Sequence, residues 1–189
     1  VDASVPGHWR TYTPDDVCAI YGRTSEGRVT DPTGAQVFQW LLEEQHDGRG
    51  SAVWYVYKAE NAEGVLAGET SEAHRRRATG FAAGGTRYPK RVFYGNASPL
   101  PDRASPLTET GPSWRFEVVF DYGEHSANTR DASAPWLLRP DPFSSYRSGF
   151  ELRTYRLLRR VLVFHRFPEL GANAATQGVL VSSTTLVHG

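Results

Sequence analysis

Two histidines and three carboxylic acids are the side chains of this sequence best suited to acid–base or metal chemistry. They are Asp121, Glu124, His125, Asp141 and His165. Such groups can form an acid–base pair or hold a cation wherever the fold brings them together. Their spacing matches none of the motifs that tie a chemistry to one local geometry, such as HExxH, paired CxxC, a glycine-rich phosphate loop or GxSxG. The pattern therefore favours structural histidines, and we predict no catalytic residue, no metal ligand and no cofactor.

Ser144 and Ser145 form a second candidate, a nucleophile pair within the sequence DPFSSY. The same letters are typical of a turn, because Asp141 can accept hydrogen bonds from the backbone amides that follow it and Pro142 fixes its own φ. We interpret the segment as a turn.

A third candidate is the stretch from Pro140 to Phe167, in which arginine alternates with apolar residues and Glu151 is the one acidic residue after Asp141. Its arginines are Arg147, Arg153, Arg156, Arg159, Arg160 and Arg166. Guanidinium forks can bind a phosphate or carboxylate ligand. The alternative, which we favour, is a set of cross-strand ion pairs whose aliphatic stems cover apolar surface. The expected partners are Glu43, Glu44, Glu117, Asp121 and Glu124.

Length and charge limit the function classes. The chain has 189 residues, so it fits one domain with its own core, and its 21 basic and 21 acidic residues cancel. A neutral chain has no bulk attraction for nucleic acid or anionic membranes. The lone Cys18 cannot form an internal disulfide, and no apolar run is long enough to cross a bilayer. The start VDASVPGHWR lacks a basic leader and a hydrophobic stretch, so we expect no targeting segment, and the absence of methionine suggests a fragment of a longer protein.

The elements that must position these residues are predicted to be strands. Aromatic and β-branched runs recur between turn-rich segments, which is typical of a mainly β fold with antiparallel sheets, long hairpins and long loops. Residues 1–15 are expected to be peripheral, and residues 61–86 and 97–113 to be long surface loops, the first with a possible short exposed helix at Glu69–Ala78. The predicted strands cover Val37–Glu43, Ser51–Lys58, Arg87–Tyr94, Trp114–Tyr122 and Gln177–His188, the first two forming a hairpin around Gln45–Gly50.

The strand Trp114–Tyr122 alternates most regularly. Its aromatic and aliphatic residues point to one side, where we expect the core, and Arg115, Glu117 and Asp121 point mostly to the other. The arginine-rich stretch fits a strand from Phe150 with a β-bulge at Leu157 and Leu158, although an amphipathic helix fits its periodicity as well.

Five segments together resemble a known family. They are FQWLLEE, WYVYKAEN, RYPKRVFYGNASP, WRFEVVFDYGEH and RPDPFSSYRSGFELRTYRLLRRVLVFHRFPELG. In this order they are similar to the SpvB-type region of the Salmonella virulence protein SpvB and of the TcB subunits of insecticidal toxin complexes. The resemblance covers nearly the whole chain and is weakest in the first fifteen or so residues and in the two long loops.

The resemblance implies a β-rich segment of a hollow shell which, together with a partner subunit carrying Rhs repeats, encloses a toxic polypeptide. It implies that any ADP-ribosyltransferase activity belongs to a separate domain, because such enzymes carry a Ser-Thr-Ser strand and a Glu-x-Glu turn, and no Glu-x-Glu occurs here. We therefore expect a noncatalytic structural or delivery module of a secreted bacterial toxin. Its expected partners are other toxin domains, the Rhs-repeat subunit and a pore-forming subunit, with neither nucleic acid nor membrane insertion.

Two alternatives remain open at this point. Five Trp and nine Tyr residues are compatible with a glycan- or ligand-binding module, since sugars stack on exposed rings. An enzyme domain associated with ADP-ribosyl transfer is the other, with His165, Asp141 and Glu151 as the first residues to test. For the structural hypothesis the residues of interest are Arg147, Arg153, Arg156, Arg159, Arg160, Asp141, Trp114 and Asp121.

Overall fold

The computed structural model describes residues 7–66, 68–77, 80–81, 85–100, 106–111, 113–126 and 129–188. Most of the regular structure in these ranges is β. Fourteen strands are described there: β1 (Trp9–Tyr12), β2 (Cys18–Tyr21), β3 (Arg28–Thr30), β4 (Val37–Trp40), β5 (Leu42–His46), β6 (Ala52–Ala59), β7 (Arg76–Arg77), β8 (Gly80–Phe81), β9 (Arg87–Asn96), β10 (Trp114–Asp121), β11 (Phe143–Ser145), β12 (Leu152–Thr154), β13 (Arg160–His165) and β14 (Val179–Thr185).

Eight of these strands form one antiparallel sheet in the order β1-β2-β5-β6-β9-β10-β13-β14. Three small sheets pair β3 with β4, β7 with β8 and β11 with β12. Within the described ranges the helical elements are two 3₁₀ helices, Thr70–Arg75 and Pro168–Leu170, and the short α1 (Ala174–Gln177). No helix among the described residues is long and apolar enough to cross a membrane. The predicted mainly β, antiparallel fold is confirmed.

The predicted hairpin is present, but its first strand is divided. β5 pairs with β6 in the large sheet, whereas β4 pairs with β3. The break falls at Leu41, whose backbone amide donates to Gly27 O at 2.7 Å and whose carbonyl accepts from Gly22 N at 2.8 Å. These bonds to the loop before β3 occupy the backbone groups that a continuous strand would use. Gln45 and His46, expected in the loop, belong to β5.

The arginine-rich stretch is neither one bulged strand nor a helix. It forms β12 in a small sheet and β13 in the large sheet, with an extended connector over residues 155–159. The connector leaves the strand because its backbone binds other segments, with Arg139 N donating to Tyr155 O and Arg159 N donating to Asp121 O. The register shift lies between Val163 and Phe164 rather than at Leu157 and Leu158. The predicted DPFSSY turn is also wrong in part, because β11 occupies its second half.

The remaining strands lie close to their predicted places. β9 continues through Gly95, whose φ of +68° falls where glycine is favoured. β14 occupies the centre of the predicted final strand. A 3₁₀ helix over Thr70–Arg75 replaces the exposed helix predicted at Glu69–Ala78, and Glu72 within it is buried. Ala78 lies outside the described residues.

The large sheet has two different faces, which follow from its register because directly opposed residues of an antiparallel pair share a face. One face, here called the half-exposed face, carries a run of half-buried residues across the central strands β6, β9, β10 and β13, none of them acidic or basic apart from a histidine. These residues are Val53, Tyr55, Val92, Tyr94, Phe116, Val118, Phe120, Val161, Val163 and His165. The buried face contains the fully covered residues Ile20, Glu44, His46, Phe93, Glu117, Val119, Asp121, Leu162 and Phe164.

The alternation of β10 was therefore predicted correctly, but its core side was not. Phe116, Val118 and Phe120 are only half-buried, whereas Glu117 and Asp121 on the opposite side are 0% exposed. Trp114 and Tyr122, at the two ends of the run, are buried as expected. Loops cover the side with the carboxylates, and the basic groups that these loops and neighbouring strands supply make that burial possible.

Candidate functional site

Three of the five candidate acid–base residues meet at the end of β10. The ligand atoms of Asp121, Glu124 and His125 all lie within 4.8 Å of one another, and all three residues are buried. A tight turn brings them together. Asp121 Oδ1 accepts from Gly123 N at 2.7 Å and from His125 N at 3.2 Å, and Glu124 Oε2 accepts from Tyr122 N at 2.7 Å.

Basic side chains of this chain fill the cluster. Lys90 Nζ donates to Glu124 Oε1 at 2.5 Å and contacts His125 Nε2 at 2.7 Å, while Arg160 Nε donates to Asp121 Oδ2 at 2.6 Å. The Lys90 ammonium therefore already binds Glu124 and His125, two of the three residues that would have to hold a metal cation. Its reach follows from a register shift, because Val56 pairs with Arg91 and Tyr57 with Pro89, which leaves Lys90 as the extra residue.

The protonation state of His125 is set by its two neighbours. Its Nδ1 lies 3.2 Å from the carbonyl oxygen of Thr129, which can only accept a hydrogen bond, so Nδ1 carries the proton. Its Nε2 faces the Lys90 ammonium, which can only donate, so Nε2 is unprotonated. Burial first, and then the Lys90 charge, lower the pKa of His125. A neutral histidine whose lone pair is already bonded is not available as a base.

The other candidates lie elsewhere and do not meet. Asp141 is exposed and pairs with Arg139, at 2.9 and 3.0 Å, so the predicted bonds to the following amides are replaced by a side-chain pair. His165 lies on the half-exposed face among aromatic rings, 5.2 Å from Phe116 and 5.7 Å from Phe167 between ring centres. Ser144 Oγ donates to Glu151 Oε1 at 2.5 Å.

Glu151 is the acidic centre of a separate group of ion pairs. Burial by itself would raise the pKa of Glu151, but hydrogen bonds from Arg75 and Ser144 and the Arg75 charge lower it to about 2. The group extends to Glu72, which accepts from Arg75 Nη1 at 2.7 Å, from Arg153 Nη2 at 2.8 Å and from the Tyr155 hydroxyl at 2.5 Å. These bonds tie the 3₁₀ helix at Thr70–Arg75 to β12.

Arg156 makes the most deeply buried ion pair found among the described residues. It binds Glu60 through Nε at 3.0 Å and Nη2 at 2.5 Å, and both side chains are 0% exposed. Its remaining donors bind the carbonyls of Trp136 at 3.0 Å and Glu63 at 2.9 Å, and its guanidinium lies 4.2 Å from the centre of a Trp136 ring. The bidentate geometry and full set of acceptors are typical of a structural cross-link.

Glu117 holds a second cross-link on the buried face. Its Oε1 accepts from Arg91 at 2.5 Å, its Oε2 accepts from Arg130 at 2.6 Å, and Arg166 lies 3.8 Å away. Of the predicted acidic partners, Asp121 and Glu117 do face arginines of the basic stretch. Glu43 and Glu44 do not, since Glu43 binds Thr24, while Glu44 binds Arg23 and His46. Glu124 binds Lys90.

Two arginines of the stretch have no acidic partner among the described residues. Arg147 is exposed, and Arg159 is half-buried with its Nε lacking a hydrogen-bond acceptor. Trp114 packs against Phe93 with ring centres 6.0 Å apart and donates from Nε1 to Thr108 O at 2.9 Å. Its indole is a core group.

Sequence reasoning missed the partners that complete these cross-links. They are Glu60, Glu72, Lys90, Arg91 and Arg130. Glu60 is 96 positions from Arg156. Of these five, only Glu60 gave a local signal. It directly follows the long apolar strand β6, and an acidic side chain at a buried strand end must find a partner.

Comparisons with known proteins agree with the resemblance read from the sequence. The model of the SpvB family, described as Salmonella virulence plasmid 65kDa B protein, matches residues 2–167. The mono(ADP-ribosyl)transferase SpvB of Salmonella typhimurium is 39% identical over 176 residues, and the same figures hold for that of Salmonella dublin. Each match covers 86% of this chain but 28% of the relative. The chain thus spans little more than a quarter of these relatives.

Solved structures show the same fold. The N-terminal domain of the effector protein SpvB from Salmonella typhimurium superposes with a TM-score of 0.78 at 30% identity, covering 100% of this chain and 63% of that one. A TcdB2-TccC3-Cdc42 crystal structure superposes with a TM-score of 0.77 at 34% identity, covering 95% of this chain and 9% of that one. A structure of the Photorhabdus luminescens Tc holotoxin pore superposes with a TM-score of 0.78 at 32% identity, covering 98% of this chain and 9% of that one.

Proposed function

The chain belongs to the SpvB family, and from that premise we propose that it is a noncatalytic structural module of a bacterial toxin. One observation carries the proposal. The large sheet directs its carboxylates and arginines inward as cross-links, and leaves an uncharged aliphatic and aromatic face half-exposed. This arrangement suits a piece of wall that another part of the toxin covers.

The noncatalytic part rests on how the candidate chemical groups are used. Asp121, Glu124 and His125 are the described residues that come closest to a metal or acid–base site, and Lys90 and Arg160 neutralise them from within 2.5 to 2.7 Å. A general base needs an unoccupied lone pair near a substrate. Here the lone pairs of these three residues already accept hydrogen bonds, which hold the turn after β10 against β9 and β13.

The structural part rests on the half-exposed face. Val92, Val118 and Val163 lie side by side on β9, β10 and β13, with Tyr94 stacked on Phe116 at 4.9 Å between ring centres. A contiguous apolar patch of this kind usually marks an interaction surface. The occupant we propose is β structure of the same toxin or of its Rhs-repeat partner subunit, with a pore-forming subunit as the next component. The site of action would be outside the producing bacterium.

An enzymatic assay tests the noncatalytic part. The 189-residue chain should transfer no ADP-ribose from NAD to actin and should release no nicotinamide, with the mono(ADP-ribosyl)transferase SpvB as positive control. Transfer or NAD hydrolysis above the buffer blank by the chain alone, lost in a Glu124→Gln variant, would overturn the assignment.

An assembly assay tests the structural part. Val92→Lys places a charge on the half-exposed face, and Val181→Lys on the exposed edge strand β14 is the matched control. In the full toxin protein co-expressed with its Rhs-repeat subunit, we expect Val92→Lys to reduce the recovered complex at least about tenfold, since a buried unpaired charge costs more than 1.4 kcal/mol. Equal recovery of both variants would contradict this surface as the interface.

A further inference from the structure

A cleft of about 740 Å³ opens where β10 begins and β13 ends. Its walls are apolar, formed by Trp114, Phe167, Pro168 and Ala175. At its rim the exposed Arg115 holds its guanidinium 5.7 Å from the centre of the Phe167 ring. The volume is within the range of small-ligand sites, and an apolar lining with a few polar groups is their usual composition.

The polar group at the bottom of this cleft is Arg166, which is 8% exposed. A guanidinium has five N–H donors. Arg166 uses two nitrogens, with Nε donating to Ala175 O at 3.1 Å and Nη2 reaching Thr176 O at 3.4 Å. Its Nη1 is buried without a hydrogen-bond partner. Arg166 is therefore a deeply covered cation with most of its donor capacity unused.

Arg166 shares its counter-charge with two other arginines. Its Nη1, the nitrogen without a hydrogen-bond partner, faces Glu117 Oε2 at 3.8 Å, which is within ion-pair range but beyond hydrogen-bond distance. Both oxygens of Glu117 already accept closer bonds, from Arg91 at 2.5 Å and from Arg130 at 2.6 Å. Arg166 is thus the third guanidinium around one fully buried carboxylate, and burial lowers its pKa.

The acidic groups at the rim do not supply this charge. Glu109 lines the cleft but binds Arg130. Glu169 also lines it and is exposed on the 3₁₀ helix Pro168–Leu170. Arg115, exposed on the same rim, adds a second cation. Two acids and two arginines therefore line the cleft, and Arg166 is the buried one of the four.

We propose that this cleft binds an aromatic carboxylate, whose carboxylate pairs with the Arg166 guanidinium and whose ring packs against Phe167 and Pro168, above the buried Trp114. The ion pair would replace the long contact from Arg166 to Thr176 O. It would also give Arg166 an anion of its own, in addition to Glu117, which Arg166 shares with two other arginines. The ring would be held by stacking and by burial of apolar area. A free metabolite and the C-terminal phenylalanine of a polypeptide offer the same chemistry. The site is independent of the structural role proposed above.

A titration with two probes tests the charge requirement. ¹H–¹⁵N spectra of the chain report Trp114 Nε1–H and Arg166 Nε–H directly. N-acetylphenylalanine should shift both signals saturably, and N-acetylphenylalaninamide should bind at least about tenfold more weakly. Acetyl-Gly-Gly-Phe with a free carboxylate distinguishes the sources: tighter binding than the single residue indicates a polypeptide terminus, and equal binding indicates a small carboxylate.

Variants test the residues. Arg166→Gln and Phe167→Ala should each weaken N-acetylphenylalanine at least about tenfold, whereas Arg147→Gln, an exposed arginine of the same stretch, should leave binding unchanged. If Arg166→Gln does not fold, the proposal is still tested by Phe167→Ala and by the ratio of the affinities for N-acetylphenylalanine and N-acetylphenylalaninamide. No saturable shift up to about 10 mM probe, or equal affinity for acid and amide, would overturn the proposal.

Discussion

Val118 and Val119 are neighbours in β10 and point to opposite faces of the same sheet. Around Val119 the buried face holds Glu117 and Asp121, whose charges are met by arginines from other strands and loops. Around Val118 the half-exposed face holds Phe116, Phe120 and uncharged residues of β9 and β13. In this sheet, the buried charged residues lie on the covered side among apolar core residues, whereas the half-exposed face carries no acidic or basic residue apart from His165. The difference indicates that the fold is internally cross-linked by ion pairs, and it is the basis of the proposal that another part of the toxin covers the apolar face.

The largest expected effect comes from removing a carboxylate of the buried face. Glu117→Ala leaves Arg91, Arg130 and Arg166 without their shared anion, and breaking a buried pair in this way costs about 3 to 5 kcal/mol of unfolding free energy. Urea unfolding of the variant measures it. The matched control is Glu169→Ala, an exposed acid that should stay within about 0.5 kcal/mol of the parent chain. Similar stabilities for both variants would mean that the carboxylates of the buried face are not cross-links.

The two valines test the packing difference. Val119 is 0% exposed, so Val119→Ala should cost about 2 kcal/mol through lost burial and the cavity left behind. Val118→Ala should cost less than about 1 kcal/mol in the isolated chain, because its side chain already contacts water. Denaturation midpoints of the two variants give the comparison. Equal losses would show that an unrecognised layer covers the half-exposed face.

Acid should weaken the buried face through His125. This residue is surrounded by Lys90, Glu124, Asp121 and Arg160. The contact with the Lys90 ammonium requires a neutral imidazole ring. Because the folded-state pKa of His125 lies below its ordinary value of 6.5, the unfolded chain binds its proton first as the pH falls. The contribution is therefore complete above pH 6.5 and is lost progressively below it.

Unfolding free energies between about pH 7 and pH 5 measure this linkage. His125→Gln should flatten the slope by up to about one proton, whereas His74→Gln, at an exposed position, should retain it. A parent slope unchanged by His125→Gln would exclude the predicted coupling to Lys90.

The smallest effect is expected at Arg147, the exposed arginine without an acidic partner among the described residues. Arg147→Ala should alter the unfolding free energy by less than about 0.5 kcal/mol. A loss above about 2 kcal/mol, measured in the same urea series, would indicate that the exposed end of the basic stretch also serves as a cross-link.

The sequence predicted what depends on local period. Alternation located β6 and β10, because side-chain direction in a strand repeats every two residues whatever lies around it. Aromatic and β-branched content located β9 and β14. It did not predict which face is covered, since that depends on Arg91, Arg130 and Leu107, which reach the sheet from other strands or loops. Interruptions at Leu41 and at residues 155–159 arise from backbone bonds to distant segments. No local pattern encodes them.

The candidate site was predictable to the same degree. Asp121, Glu124 and His125 lie within five positions, so a turn after β10 was bound to bring them near one another. Lys90 was not predictable as their partner, because its reach depends on a register shift between β6 and β9. Because Lys90 binds both Glu124 and His125, we interpret the cluster as structural rather than as an acid–base site.

Hydroxyl-radical footprinting of the chain, alone and within its assembled toxin, tests the central claim most directly. Tyr94 and Phe116 on the half-exposed face should be labelled in the isolated chain and protected at least about fivefold after assembly. Leu66, which is 66% exposed and lies in the loop after β6, serves as the internal reference. Protection confined to Tyr94 and Phe116 is the result we predict; equal labelling of these rings before and after assembly would contradict a sheet whose apolar face is built to be covered.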